Sequence, residues 1–312
     1  MPLSALPTLT MADYETDFAG FATRMGESYA RFGFAVLADH GLDQGLIDDA
    51  LADAKAFFAL PEAVKAAYAI PGGGGQRGYT GFGVEQAKDA ATPDLKEFWH
   101  VGRDLAEGHR FAGFMPPNIW PAEIARYEAS VGGLYRAFDA LGLKLLRAVA
   151  RFLGLADDFF DATVNDGNSV LRLLHYPPVP AGAVGVRAGA HEDINVITLL
   201  LGAEEAGLQL LDRDGRWVDV APPPGALVVN IGDMLQRLTN HRLPSTTHRV
   251  INPAPERASH ARYSMPFFLH FNPDYLIETL PGCVSAETPD RYPQPITAHD
   301  YLLERLREIK LA

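Results

Sequence analysis

Residues 191–201 read His-Glu-Asp-Ile-Asn-Val-Ile-Thr-Leu-Leu-Leu, two side chains able to ligate a metal followed by a short apolar run. The run is rich in β-branched residues and too short for a buried helix, so it predicts a strand over 195–201. Runs of the same kind recur at 170–176, 208–211, 226–231 and 262–271. Turn-forming clusters separate them: Pro177-Pro178, Asp212-Arg213-Asp214-Gly215, and Pro222 to Gly225. Several short strands punctuated in this way predict a sandwich or barrel in the C-terminal half.

The N-terminal half follows a different period. After a short leader the first 68 residues read as mainly helical. Within 44–58, Leu46, Ile47, Ala50, Leu51, Ala54, Phe57 and Phe58 fall on one helical face. Gly33 to Leu37 is a short apolar run that predicts a strand. Residues 122–155 are again helical, with Tyr127, Val131, Leu134, Phe138, Leu141, Leu145 and Val149 forming a core stripe. Residues 71–83 carry glycines at 72–75, 78, 81 and 83 and read as a flexible loop, since no Lys-Ser/Thr follows to make a phosphate cradle. There is no internal repeat. The expected fold class is mixed α/β with a mainly β core, helices packed on a barrel. Four regions are expected: 1–120, long helices over 121–165, a barrel over 166–280, and a C-terminal extension and helix over 281–312.

Composition narrows the function. The net charge of -12 with no Lys/Arg-rich run argues against a nucleic-acid partner. The lone Cys283 can form neither an internal disulfide nor a thiolate zinc site, which fits a reducing cytoplasm. The N-terminus shows no signal-peptide pattern, and no run is long and apolar enough to span a membrane. No protein partner is indicated. The expected partner is a small molecule.

In an extended segment, residues two apart share a face. His191 and Asp193 then aim at one point and Glu192 faces away. His248 follows 55 residues after Asp193, in Thr246-Thr247-His248-Arg249-Val250. Two imidazoles and one carboxylate on one side of a metal leave positions open for oxygen and a chelating cosubstrate, the arrangement of a non-haem Fe(II) oxygenase. A His-x-Asp triplet by itself is more often a surface pair. His40, His100, His109, His260 and His299 show no ligand context. His241 and His270 lie nearer the triad without ligand spacing.

Fourteen residues after His248 comes Arg262-Tyr263-Ser264, in an extended apolar run. Arg262 and Ser264 share a face. A guanidinium fork beside a hydroxyl suits the far carboxylate of a dicarboxylate held at the metal. Alone, the pair would pass as surface residues.

Taken in order, these pieces resemble the isopenicillin N synthase-like family of 2-oxoglutarate/Fe(II) dioxygenases across nearly the whole chain. Phe32-Gly33-Phe34 with His40-Gly41, Ala56 to Pro61 with Lys65, and Arg77-Gly78-Tyr79 with Glu85 and Asp94-Leu95-Lys96-Glu97 carry the resemblance in the first half. His191 to Leu200, Gly207-Leu208-Gln209, Asn230 to Asp233, Ser245 to Val250 and Arg262 to Ser264 carry it in the second. The resemblance implies a double-stranded β-helix, or jelly-roll, core with an N-terminal helical region. It implies iron ligands at His191, Asp193 and His248, with 2-oxoglutarate bound by Arg262 and Ser264, assisted by Tyr176. The family's Asn-Tyr-Tyr-Pro reads Leu174-His175-Tyr176-Pro177 here, so the asparagine is lost. His175 is expected to face away from Tyr176. Asn230, Gly232 and Asp233 read as turn and packing residues, and Arg249 as structural.

The implied activity is oxidation of a small molecule, by hydroxylation or desaturation, with Fe(II), O2 and 2-oxoglutarate and release of succinate and CO2. Alternatives are an Fe(II) oxidase that needs no 2-oxoglutarate, an ethylene-forming enzyme, or a non-catalytic small-molecule-binding barrel. Arg77, Tyr79 and Glu85 are the candidate substrate-binding residues. They lie in a segment, Arg77 to Glu97, expected to close over the iron, and Glu85 with Arg77 would suit an amino-acid-like substrate.

Overall fold

Nearly continuous burial along β-strands such as Glu97–Gly102 and Leu227–Ile231 shows that the main sheet is covered on both faces. The computed structural model describes residues 6–86, 92–179, 185–201 and 207–308. Its strands are β1 (Thr8–Thr10), β2 (Phe34–Ala38), β3 (Gly78–Thr80), β4 (Glu97–Gly102), β5 (Val170–Tyr176), β6 (Ala188–His191), β7 (Ile197–Leu201) and β8 (Leu208–Leu211). They continue with β9 (Trp217–Asp219), β10 (Leu227–Ile231), β11 (His248–Val250), β12 (Arg262–Ser264), β13 (Pro266–Leu269), β14 (Leu276–Ile277) and β15 (Ile296–Thr297). The α-helices are α1 (Met11–Thr16), α2 (Phe18–Phe32), α3 (Gln44–Phe58), α4 (Glu62–Ala66), α5 (Tyr127–Leu153), α6 (Asp161–Val164), α7 (Asp233–Leu238) and α8 (Ala298–Glu308).

The large sheet runs β1-β2-β10-β7-β13-β5-β4-β3, with β12 also paired to β5. A small sheet runs β6-β11-β8-β9. Apart from the parallel β1–β2 pair, the ladders among the described residues are antiparallel. On one face of the large sheet, Ala35, Leu37, Leu171, Leu173 and Leu199 join the helical core. On the other, Phe34, Leu174, Tyr176 and Val228 meet Ala188, Leu208 and Val250 of the small sheet. Two sheets closing on a shared interior make the double-stranded β-helix.

Helix α5 lies across the outer face. Its expected stripe from Tyr127 to Val149 is buried, and Phe138 stacks on Phe267 of β13 at 5.6 Å. Helix α3 starts where Asp43 caps it, its carboxylate accepting from Leu46 N at 2.7 Å. Losing such a cap costs about 1 kcal/mol.

Three expectations need correction. The strand expected over Gly33 to Leu37 forms as β2 beside β10, but the leader before the helices carries a second, β1, paired parallel to it. The glycine-rich segment is not loop throughout: Gly78–Thr80 zips onto β4. The run 262–271 is broken at Met265, since β12 pairs with β5 alone while β13 sits between β5 and β7. Pro266, with no N–H to give, stands at the first position of β13, where strands tolerate it.

Candidate active site

Strands β6 and β11 lie side by side with His191 directly opposite His248. Asp193 sits just past the end of β6, in the turn toward β7. Its Oδ1 is 3.8 Å from His191 Nε2 and 3.8 Å from His248 Nε2. One ligand atom from each of the three lies within 4.8 Å of the others.

The remaining polar atoms are accounted for. His191 Nδ1 donates to Gly189 O at 2.8 Å and His248 Nδ1 to Thr246 O at 3.1 Å. A carbonyl can only accept, so both Nδ1 atoms carry hydrogen and both Nε2 lone pairs are left for a metal. Asp193 Oδ2 accepts from Thr198 Oγ1 at 2.6 Å and from Asn230 Nδ2 at 2.7 Å. Oδ1 is thereby the oxygen left to the metal. Burial pushes the His191 imidazole down to about 4, so it is neutral at neutral pH, as ligation requires. Burial opposes ionisation of Asp193, but the two imidazoles and the two hydrogen bonds outweigh it and hold the carboxyl below its ordinary value. Glu192 turns aside and accepts from Thr247 Oγ1 at 2.9 Å.

Asn230 and Thr198 are cross-strand partners on β10 and β7. Asn230 is therefore more than the turn and packing residue its sequence context indicated: it holds the carboxylate. Gly232 is a packing residue, because a Cβ there would lie 2.1 Å from Asn195 O.

Arg262 and Ser264 are buried on the inner face, opposite Tyr176 and Leu174 of β5. The Arg262 guanidinium lies 5.0 Å from the Tyr176 ring centre. Leu174 stands where the family carries asparagine and joins the apolar interior. His175 faces the other way, stacked on Tyr263 and bonded to Glu97 at 2.7 Å.

A cavity of about 500 Å³ opens beside His191 and Asp193. Even-numbered residues of β5 and its lead-in, Asn168, Val170 and Arg172, line it together with Phe268 and His270 from β13 and its extension. The C-terminal helix contributes Leu302, Arg305 and Leu306. Glu85 also lines it, but its charge is already matched. Arg172 grips Glu85 bidentately at 3.1 Å through each nitrogen, and Lys96 Nζ sits 2.5 Å from it. Burial would raise the Glu85 carboxyl, but these cations hold it far below the usual range. Lys96 also donates to Asp94 Oδ2 at 2.8 Å, and Asp94 Oδ1 accepts from Gly189 N next to the triad. Arg77 and Tyr79 are elsewhere. Arg77 lies flat against Gly102, where an added Cβ would fall 1.9 Å from its Cζ. Tyr79 donates to Glu97 on the helical side of the sheet. Residues 87–91 of the segment expected to close over the iron lie outside the described residues.

Two family models match: the 2OG-Fe(II) oxygenase superfamily over residues 167–271, and the non-haem dioxygenase in morphine synthesis N-terminal region over 6–123. The chain is 35% identical over 304 residues to a 2-oxoglutarate-Fe(II) type oxidoreductase of Emericella nidulans, spanning 92% of this chain and 85% of that protein. A Caulobacter crescentus protein assigned to the 2OG-Fe(II) oxygenase family superposes with a TM-score of 0.92 at 59% identity, covering 98% and 99% of the two chains. A full-length Neurospora crassa protein in complex with alpha-KG and thymine gives 0.86 at 29% identity, covering 97% and 96%.

The chain belongs to the 2OG-Fe(II) oxygenase superfamily. It is a 2-oxoglutarate-dependent non-haem iron oxygenase, with Fe(II) as its metal and 2-oxoglutarate as cosubstrate. Small-molecule substrates are typical of the family. No helix among the described residues is long and apolar enough to cross a membrane.

Sequence reasoning missed the residues of this oxygenase that hold Asp193 and, Glu85 apart, those of the cavity wall away from the triad. One signal was available. Counting back in twos from Tyr176 reaches Leu174, Arg172, Val170 and Asn168, and counting forward in twos from Arg262 reaches Phe268 and His270.

Proposed function

We propose that His191, Asp193 and His248 hold the Fe(II), that Arg262 and Ser264, with Tyr176 behind them, take the far carboxylate of 2-oxoglutarate, and that the neighbouring cavity receives the substrate. The observation that carries this is convergence. Three ligand atoms face one point, and every other polar atom of the three side chains has a protein partner. When bound, the iron supplies the oxidising chemistry, coupling conversion of 2-oxoglutarate to succinate and CO2 to oxidation of the substrate. The chain's own part is geometric and electrostatic. Thr198 and Asn230 fix which Asp193 oxygen is offered. Arg262 supplies a fork matched to a carboxylate, in a site dry enough to strengthen it.

The cavity favours a small neutral substrate. Glu85 and Asp94 are balanced by Lys96 and Arg172, so neither presents a free charge to a zwitterion. This argues against the amino-acid-like substrate that Glu85 and Arg77 suggested. Arg77 and Tyr79, away from the cavity, are better read as structural. A cytoplasmic setting, with no nucleic-acid or membrane partner, fits the acidic charge and the lone thiol.

The test is an anaerobic titration of Fe(II), then 2-oxoglutarate, into the wild type and into His191→Ala, Asp193→Ala and His248→Ala. The wild type is expected to bind one iron and then develop a metal-to-ligand charge-transfer band. The three variants are expected to fold, bind little iron and give no band. Full iron stoichiometry in any variant would overturn the ligand assignment.

A further inference from the structure

Most polar groups around the cavity are used by one another; of the lining residues that keep a buried unpartnered atom, Gln76, Asn168, His270 and Arg305, two offer acceptors from adjoining strands. Asn168 is 7% exposed and its Oδ1 meets no protein partner. His270 is 8% exposed and its Nε2 meets none either. His270 Nδ1 lies 3.2 Å from Phe268 O, a carbonyl that can only accept. Nδ1 therefore carries the hydrogen, and Nε2 is a lone pair. Burial keeps the ring neutral, pulling it down to about 4. Both residues line the chamber that also holds His191 and Asp193.

The fold brings the two together deliberately. The β5–β13 ladder pairs Leu171 with Phe267 and Val170 with Phe268. Continued two residues further, the same register sets Asn168 opposite His270. His270 N donates to Ser169 Oγ at 3.1 Å, which pins the strands there. At Gly167 an added Cβ would sit 2.0 Å from His270 O, so only glycine permits this approach.

We propose that Asn168 and His270 are specificity-determining residues that read N–H or O–H donors on the substrate. A buried acceptor left without a donor keeps its full desolvation cost, so a ligand that supplies the donor is selected over one that cannot. The remaining walls restrict the class further. Val170, Ile194, Phe268, Leu302 and Leu306 are apolar, and Glu85, Asp94, Lys96 and Arg172 satisfy one another. A polyol would leave hydroxyls stranded against them. The substrate class is a small neutral molecule with an apolar or planar body and one or two donors, such as a cyclic imide, an N-heterocycle or a phenol. This rests on the cavity being the substrate site, and it adds which atoms choose the substrate.

The test uses matched probes that differ by one donor: succinimide against N-methylsuccinimide, indole against N-methylindole, and phenol against anisole. Each is titrated anaerobically into wild-type protein loaded with Fe(II) and 2-oxoglutarate, and affinity is read by calorimetry. In at least one pair the donor-bearing member is expected to bind about tenfold tighter or more. The imide, indole and phenol pairs separate N–H from O–H preference. Asn168→Leu and His270→Phe, each alone, are expected to reduce that preference, read as the affinity ratio within each matched pair. Absence of discrimination by the wild type, whether both members bind or neither does, overturns the proposal. So does a preference that neither substitution reduces. Loading of 2-oxoglutarate is read separately by the charge-transfer band, so failure of the iron site and failure of the acceptor pair are distinct results.

Discussion

Lys96 and Glu97 are neighbours in sequence, yet they belong to two buried charge clusters on opposite faces of one sheet. On the helical side, Glu97 accepts from Lys65 at 2.6 Å, from Tyr79 and from His175. On the barrel side, Lys96 bonds Glu85 and Asp94, with Arg172 and His100 completing the chain of contacts. Burial does not tell them apart, since the Lys65 and Lys96 side chains are both 7% exposed. What differs is what lies beyond. The outer cluster is sealed under α4, whereas the inner one borders the cavity and reaches, through Asp94, the strand that carries His191. Strand parity alone separates a brace from a chamber wall, and one four-residue motif holds both.

The largest expected effect tests that division. Lys65→Met and Lys96→Met each leave a buried carboxylate short of its cation, and each is expected to cost about 3–5 kcal/mol of stability. Only Lys96→Met should also lower substrate-coupled succinate formation per folded molecule. Urea unfolding together with turnover corrected for folded fraction checks both. Equal loss of turnover in the two variants would break the distinction between the faces.

Arg262→Lys comes next. It keeps the positive charge on the inner face but replaces a bidentate fork with a point ammonium. Losing one charge-assisted hydrogen bond of about 1.5–3 kcal/mol raises the 2-oxoglutarate requirement roughly tenfold to a hundredfold. Fe(II) binding should hold. The charge-transfer titration reads both quantities, and an unchanged 2-oxoglutarate affinity would remove Arg262 from the cosubstrate site. Thr198→Val and Asn230→Leu are subtler, since neither residue would touch the metal. Each removes one of the two hydrogen bonds on Asp193 Oδ2 and is expected to weaken Fe(II) binding by about 10–100-fold, measured by competition with a chelator. Unaltered affinity in both would make their hydrogen bonds incidental.

Much of this was legible because period is a local property. The helix Gln44–Phe58 falls on the residues its pattern indicated, and the strands Val170–Tyr176 and Leu208–Leu211 coincide with the predicted runs. The His-x-Asp triplet and Arg-x-Ser were visible for the same reason. Register between distant strands is not local. That Asn230 lies opposite Thr198, and that both reach Asp193, depends on β10 pairing with β7. Arg77 failed as a cavity residue for a related reason. Its glycine-rich surroundings suggested mobility, but Gly78 pairs with His100 on β4, and Arg77 is clamped on Gly102. The C-terminal helix gave no chemical signal of its own, and only the fold brings Arg305 within 3.2 Å of Asp233 and into the cavity wall.

The smallest effect sharpens the comparison through pH. His270 lies on the inner face, and burial holds it at about 4 against an ordinary 6.5. As pH falls below 6.5 the unfolded chain takes up this proton first, so folding is penalised progressively until the folded-state value is reached. The contribution to stability is thus fully present above the unfolded value and is lost as pH falls toward 4. At pH 5 the loss amounts to about 2 kcal/mol for this one ring. In metal-free protein, His270→Phe should remove that share of the slope and leave stability at pH 7.5 changed only by packing. Urea unfolding of wild type and variant at pH 7.5, 6.5, 5.5 and 5.0 isolates the difference, because His191 and His100 titrate in both. Parallel curves would mean that His270 is protonated as readily folded as unfolded, and the neutral acceptor on the chamber wall would be lost with it.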